Sequence, residues 1–110
     1  MSADARKILS ELLAARNERS APRAAQLLSD DVRYWDCERG EVVGREAVAA
    51  ALISLDAQAE LETIASGDPD VVAEWQLEAA GARFRSTEVY RLAGGRIASL
   101  KAYFDAAALR

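Results

Sequence analysis

Partway along this chain the spacing of apolar residues changes from helical to alternating, and that change limits the fold more than any motif does. Near the start the apolar positions are Ala5, Ile8, Leu9, Leu12 and Leu13, the stripe of an amphipathic helix. Ser20 and Pro22 read as an N-cap and a first-turn proline, with Ala24, Ala25, Leu27 and Leu28 as the inner face of a second helix. Ser29, Asp30 and Asp31 end it, a short strand runs from Val32 to Cys37, and a loop covers Glu38 to Gly44. Ala47, Val48, Ala51, Leu52 and Leu55 then restore helical spacing. From Val71 onward the period is two, with Val71, Ala73, Trp75 and Leu77 sharing a face. Two further strands place Phe84, Ser86, Glu88, Tyr90 and Leu92, then Ala98, Leu100, Ala102 and Phe104, on that same side. Three helices followed by an antiparallel meander imply an α+β domain in which the helices cover the apolar face of a curved sheet.

Turn chemistry constrains the strand registers, because a slip of one residue sends every side chain to the opposite face. A loop of Ala79 to Ala82 pairs Leu77 with Phe84, Trp75 with Ser86 and Ala73 with Glu88. A three-residue loop of Ala93, Gly94 and Gly95 pairs Tyr90 with Ala98 and Glu88 with Leu100, keeping faces consistent. It also places Gly95 at the left-handed position of such a loop.

Composition narrows the function classes. At 110 residues with 51% hydrophobic content, the chain is expected to form a single domain over 1–110. The net charge of -4, with basic residues scattered, gives no footprint for a phosphate backbone, so nucleic acid is not an expected partner. There is no apolar run suited to a signal or a membrane span, so no membrane partner and a cytoplasmic location are expected. The lone Cys37 fits a reducing compartment and reads as a half-buried apolar side chain. With no histidine, the commonest general base and the commonest transition-metal ligand are both missing, so no metal or other cofactor is expected. Acid–base chemistry falls to carboxylates, tyrosines or lysine.

Glu88 is the anomaly on the inward face, flanked by Ser86 and Tyr90. Burial disfavours the charged form of a carboxyl group. A carboxylic acid kept neutral in this way can donate a hydrogen bond to a developing oxyanion. Its plainer role is a structural network with a tyrosine or with backbone groups. Asp36, on the face of Tyr34 and opposite Trp35, could serve as a base at a pocket mouth. Its plainer role is to open the turn into Cys37, Glu38, Arg39 and Gly40 by bonding its own backbone. Trp75, Phe84, Tyr90 and Phe104 read as core aromatics first and pocket walls second. Arg83, Arg85 and Arg91 face away, near Glu74 and Glu78, as a charge lattice worth little per pair.

The segments LLSDDVRYWD (27–36), VVGREAV (42–48), FRSTEVYRLAGGRI (84–97) and AYFD (102–105) resemble the SnoaL-like and ketosteroid-isomerase-like branch of the nuclear transport factor 2 superfamily. The resemblance spans nearly the whole chain and implies a cone, with three N-terminal helices packed in the concave face of a curved, mostly antiparallel sheet. It also implies that Asp36 falls where ketosteroid isomerases keep their aspartate base. Glu88 falls at their protonated oxyanion-hole aspartate, and Leu12 at their helix-one tyrosine. Losing one oxyanion donor costs roughly 10²–10³ in rate, a gap that Tyr34 or Tyr90 would have to fill. Dehydratase and polyketide-cyclase relatives lean on histidine. Against limonene-epoxide-hydrolase-like enzymes, the resemblance puts Trp75, Leu77 and Ala102 where that family keeps an Arg and two Asp.

The expected function is therefore a cofactor-independent isomerase or cyclase-type enzyme moving a proton on a small apolar carbonyl compound, steroid-like or polyketide-like. Its expected catalytic residues are Asp36, Glu88, Tyr34 and Tyr90. The expected pocket walls are Leu12, Trp75, Leu77, Phe84, Ser86, Leu100, Ala102 and Phe104. The rivals are a non-catalytic small-molecule carrier and a dimeric assembly module whose cone is filled by Trp75, Phe84 and Phe104. A homodimer is expected under all three.

Overall fold

The computed structural model describes residues 3–55, 57–66, 70–79 and 81–105. Helices α1 (Ala3–Glu18), α2 (Ala21–Ala25) and α3 (Arg45–Leu52) lie in the concave face of a curved, unclosed sheet. Its strands are β1 (Leu28–Asp36), β2 (Gly40–Val43), β3 (Gln58–Ser66), β4 (Asp70–Ala79), β5 (Ala82–Ala93) and β6 (Arg96–Phe104). Their order across the sheet is β2-β1-β6-β5-β4-β3. The β1–β6 pair is parallel and every other pair is antiparallel. Leu9 and Leu12 of α1, Val48 and Leu52 of α3, and Trp75, Tyr90, Ile97 and Leu100 of the sheet meet in one core. No helix among the described residues is long and apolar enough to cross a membrane.

The second helix and first strand differ from the sequence expectation. Ser20 caps α2 as anticipated, its Oγ accepting from the Arg23 amide at 3.2 Å. The helix nevertheless stops at Ala25, and Leu28 already pairs with Ile97 in the parallel ladder. Two adjacent buried leucines suit a helix face or a strand start equally, and the long-range bond from the Ile97 amide to the Leu27 carbonyl, 2.8 Å, decides for the strand. The stretch expected as a loop contains β2, which Gly40 admits by taking φ +79 after β1.

Strand β3 is absent from the sequence reading altogether. Between Leu61 and Thr63 its pairing with β4 slips by one residue, leaving Glu62 as a bulge. The bulge moves the apolar phase from odd positions (Ala59, Leu61) to even (Ile64), which erases the period-two signal.

The β4–β5 register is the expected one: Leu77 opposite Phe84, Trp75 opposite Ser86, Ala73 opposite Glu88. The β5–β6 register is not. Ala93 pairs with Arg96 around a two-residue Gly94-Gly95 turn, with φ +59 and +78, and Tyr90 faces Leu100 while Glu88 faces Ala102. The turn alone would mix faces, but a slip beyond Arg91 absorbs one residue of β6, so Ile97 rather than Ala98 points inward. Cys37 is exposed rather than half-buried, its thiol donating to the Phe104 carbonyl at 3.1 Å.

Candidate ligand cavity and its polar wall

Glu88 sits in the middle of β5 and is 2% exposed. Because side chains two apart on a strand share a face, Ser86 and Tyr90 flank it, and both hydroxyls donate to its carboxylate, Ser86 Oγ at 3.2 Å to Oε2 and Tyr90 to Oε1. From the last turn of α1 Arg16 reaches Oε2 through Nη2 at 2.7 Å, an ion pair spanning 72 residues of sequence. The Arg16 guanidinium lies over the Trp75 ring, 4.5 Å from its centroid, and Trp75 Nε1 donates to Tyr90 Oη at 2.8 Å. Arg16, Glu88, Tyr90 and Trp75 thus close a ring that ties helix to sheet.

Burial opposes the Arg16 charge, but Glu88 and the neighbouring tyrosines outweigh it and hold its pKa above the ordinary value. Burial first, and then the Glu88 charge, push the Tyr90 hydroxyl well up, so it stays a donor. Among the described residues, Arg16 Nη1 is the one buried side-chain polar atom without a hydrogen-bond partner. Leaving such a donor unmet costs roughly 1–3 kcal/mol.

Beside this ring lies a cavity of about 360 Å³. Leu52, Ala59, Leu77, Phe84, Ala102 and Phe104 give it apolar walls, and Arg16, Tyr34, Glu38, Arg39, Ser86 and Glu88 line it with polar groups. An open space next to Glu88 counts against a cone filled by Trp75, Phe84 and Phe104.

Asp36 is fully buried and lies outside the cavity wall. Its carboxylate accepts from the Glu38 amide (2.9 Å), the Arg39 amide (2.5 Å), Arg39 Nε (3.1 Å) and the Tyr34 hydroxyl (2.6 Å). Burial works against the charge, yet the Arg39 amide, the Tyr34 hydroxyl and the Glu38 amide prevail and hold its pKa below the ordinary 3.8. This is the turn-opening arrangement. The Tyr34 hydroxyl is pushed up by burial and by its bond to Asp36.

Of the expected site residues, the structure brings Tyr34, Glu88, Leu77, Phe84, Ser86, Ala102 and Phe104 to the cavity. It places Asp36, Tyr90, Trp75, Leu100 and Leu12 behind that surface, buried in the protein. Sequence reasoning missed Arg16, although the signal was there: Arg16 stands four residues after Leu12, on the buried stripe of α1.

An α+β cone with a cavity between its helices and the concave sheet is the architecture of the nuclear transport factor 2 superfamily. Within it the chain belongs to the SnoaL-like domain family, whose model matches residues 9–100. Among curated proteins no sequence relative is found. Solved structures are similar in fold. One is a nuclear-transport-factor-2-like protein of unknown function from Cytophaga hutchinsonii, 22% identical over 94% of this chain and 92% of that one, TM-score 0.82. Another is an epoxide hydrolase from M. tuberculosis resembling limonene epoxide hydrolases, 20% identical over 96% and 86%, TM-score 0.78. A de novo designed protein with a curved β-sheet is 21% identical over 96% and 88%, TM-score 0.83. These likenesses are of fold, and a fold of this kind does not by itself imply a reaction.

Proposed function

We propose that the cavity receives a small, largely apolar carbonyl compound and shifts a proton on it without a cofactor, as an isomerase or cyclase-type enzyme would. The observation that carries this reading is the buried Glu88 carboxylate in the wall of a cavity that Leu52, Ala59, Leu77, Phe84, Ala102 and Phe104 also line. Glu88, rather than Asp36, is then the proton shuttle, since Asp36 is saturated by four donors behind the wall. In the step, Glu88 takes a proton from the carbon next to the carbonyl, that C–H pair becomes the enolate double bond, and the carbonyl π pair moves onto oxygen. Return of the proton, at the same or a conjugated carbon, regenerates the carboxylate. Tyr34 and Ser86 border the reacting region, and Tyr90 orients Glu88 from behind.

A carrier that holds the same class of compound unchanged is the second reading. It is favoured by the three donors already engaging Glu88, which occupy both of its oxygens. Deuterium uptake from D2O next to the carbonyl, followed by NMR for a panel of aryl and alicyclic ketones, separates the two. Uptake that disappears in Glu88→Gln while the ketone still binds supports proton transfer. Binding without uptake in the wild type leaves the carrier, and absence of binding by every ketone sinks both.

The same proposal includes a homodimer through the outer face of the sheet, where Val43 and Tyr103 are 52% and 47% exposed and Tyr103 leans on Trp35 with ring centroids 5.3 Å apart. A monomeric mass in solution scattering would overturn it.

A further inference from the structure

Resting on the reading of the sheet's outer face as a homodimer surface, we infer that Lys101 of each copy pairs with Glu74 of the other, and that these two charges set how the copies are turned on one another. Strand alternation and register arrange the outward side chains in rows across the sheet. From β1 to β3 one row runs Trp35, Lys101, Val89, Val72 and Ala65. From β6 to β3 the next runs Tyr103, Thr87, Glu74 and Thr63. Apart from Lys101 and Glu74, these two rows hold apolar, aromatic and threonine side chains only. The arginines bordering them are engaged within the chain, Arg33 with Glu41, Arg91 with Asp70 and Arg85 with Glu62. Lys101 and Glu74 have no ion-pair partner among the described residues.

An apolar centre bordered by satisfied charges is the anatomy of an interface, and the two unmet charges at that centre choose its occupant. They stand on β6 and β4, either side of β5, with backbones about 12 Å apart by strand spacing and rise. Covering them with an apolar partner would bury a lysine and a carboxylate without counter-charges, which is costly for each. An acidic partner would answer Lys101 alone, and a basic one Glu74 alone. A second copy answers both. In a two-fold contact, a residue i that meets j requires that j also meets i, so an axis crossing β5 between the two positions brings each Lys101 onto a Glu74. The contact then holds two matched pairs and no excess charge. Opposed charges of this kind fix orientation, because any other placement leaves them unmet or sets like against like. Around them Tyr103, 47% exposed, and Trp35, packed on it at 5.3 Å, supply the apolar area.

The test reverses each charge alone and then mixes the products. Analytical ultracentrifugation gives the dimer dissociation constant of wild type, of Lys101→Glu and of Glu74→Lys, and native mass spectrometry counts the species in an equimolar mixture of the two variants. Each variant sets like charges together twice in its own dimer, so its dissociation constant should rise by about a hundredfold or more. In the mixture every contact again joins a lysine to a glutamate, so heterodimers should form with an affinity near that of wild type. Dimers that both variants form as tightly as wild type would overturn the pairing while leaving the homodimer intact. Weakened variants that do not recover on mixing would overturn it too, since the two positions would then not face each other. A monomeric wild type would overturn the pairing and the homodimer together. If a reversed chain does not fold, Lys101→Gln and Glu74→Gln replace it. Each should weaken the dimer about tenfold, and a constant equal to that of wild type would overturn the pairing.

Discussion

Two buried carboxylates stand on the concave side of this sheet, and they are held in opposite ways. Asp36 is enclosed by its own neighbourhood, with donors from Tyr34, Glu38 and Arg39 lying within three residues of it. Glu88 is enclosed partly by Ser86 and Tyr90 of its own strand and partly by Arg16, far away in sequence. The local shell is complete and stands between Asp36 and the cavity, which Tyr34, Glu38 and Arg39 line. The long-range shell borders the cavity and leaves one nitrogen of its cation, Arg16 Nη1, buried without a partner among the described residues. A carboxylate wrapped by its own turn is a structural fastener, while one that needs a distant cation brings a site into being only when the fold closes.

The largest effect should come from removing each cation in turn. Arg16→Met strands Glu88 in the protein and is expected to cost about 3–5 kcal/mol. Arg39→Met should cost about 1 kcal/mol or less, since Arg39 is half exposed and Asp36 keeps two amides and the Tyr34 hydroxyl. Urea denaturation of both variants measures the gap. Equal losses would mean that the two corners are not held differently at all.

Next in size is Tyr90→Phe, expected at about 2–3 kcal/mol because it deprives Glu88 of a donor and Trp75 Nε1 of its acceptor at once. The Trp75 indole should then shift its fluorescence, while a loss below about 1 kcal/mol in urea would show that the ring is not a mechanical unit.

Asp36→Asn follows, at about 1–3 kcal/mol near neutrality, and its signature is in the pH dependence. The folded-state pKa of Asp36 lies below its ordinary 3.8, so its stabilisation is fully present above that value and is lost as pH falls through the lower, folded one. The stability difference between wild type and Asp36→Asn should therefore shrink as the solution is taken below pH 3.8. A difference that stays constant or grows on acidification would mean that Asp36 is not held as the charged form.

These two corners were unequally legible in the sequence. The turn-opening role of Asp36 could be read from local residues, because Asx chemistry is local. Glu88 stood out as an acid on an apolar face, but its cation could not be seen, since nothing in a strand pattern says which helical side chain reaches it. The same division runs through the fold. The β4–β5 register followed from turn length and alternation, whereas the β5–β6 register needed a bulge that cancels the tighter turn, and β3 vanished because its bulge scrambles the period. Local rules stop where a long-range pairing absorbs an extra residue.

The smallest effect sharpens the comparison most, because Tyr34 belongs to both regions: its hydroxyl donates to Asp36, yet its side chain lines the cavity. Tyr34→Phe should cost only about 1 kcal/mol, since Asp36 retains both amides and the Arg39 guanidinium. If the hydroxyl serves only the Asp36 corner, ketone affinity should be unchanged and the acid limb of stability should move slightly upward in pH, as Asp36 loses one of the donors that lower its pKa. If ketone affinity instead falls tenfold with the acid limb unmoved, the Tyr34 hydroxyl turns toward ligand when one is bound. The division between a closed fastener and an open site would then have to be redrawn through Tyr34 rather than beside it.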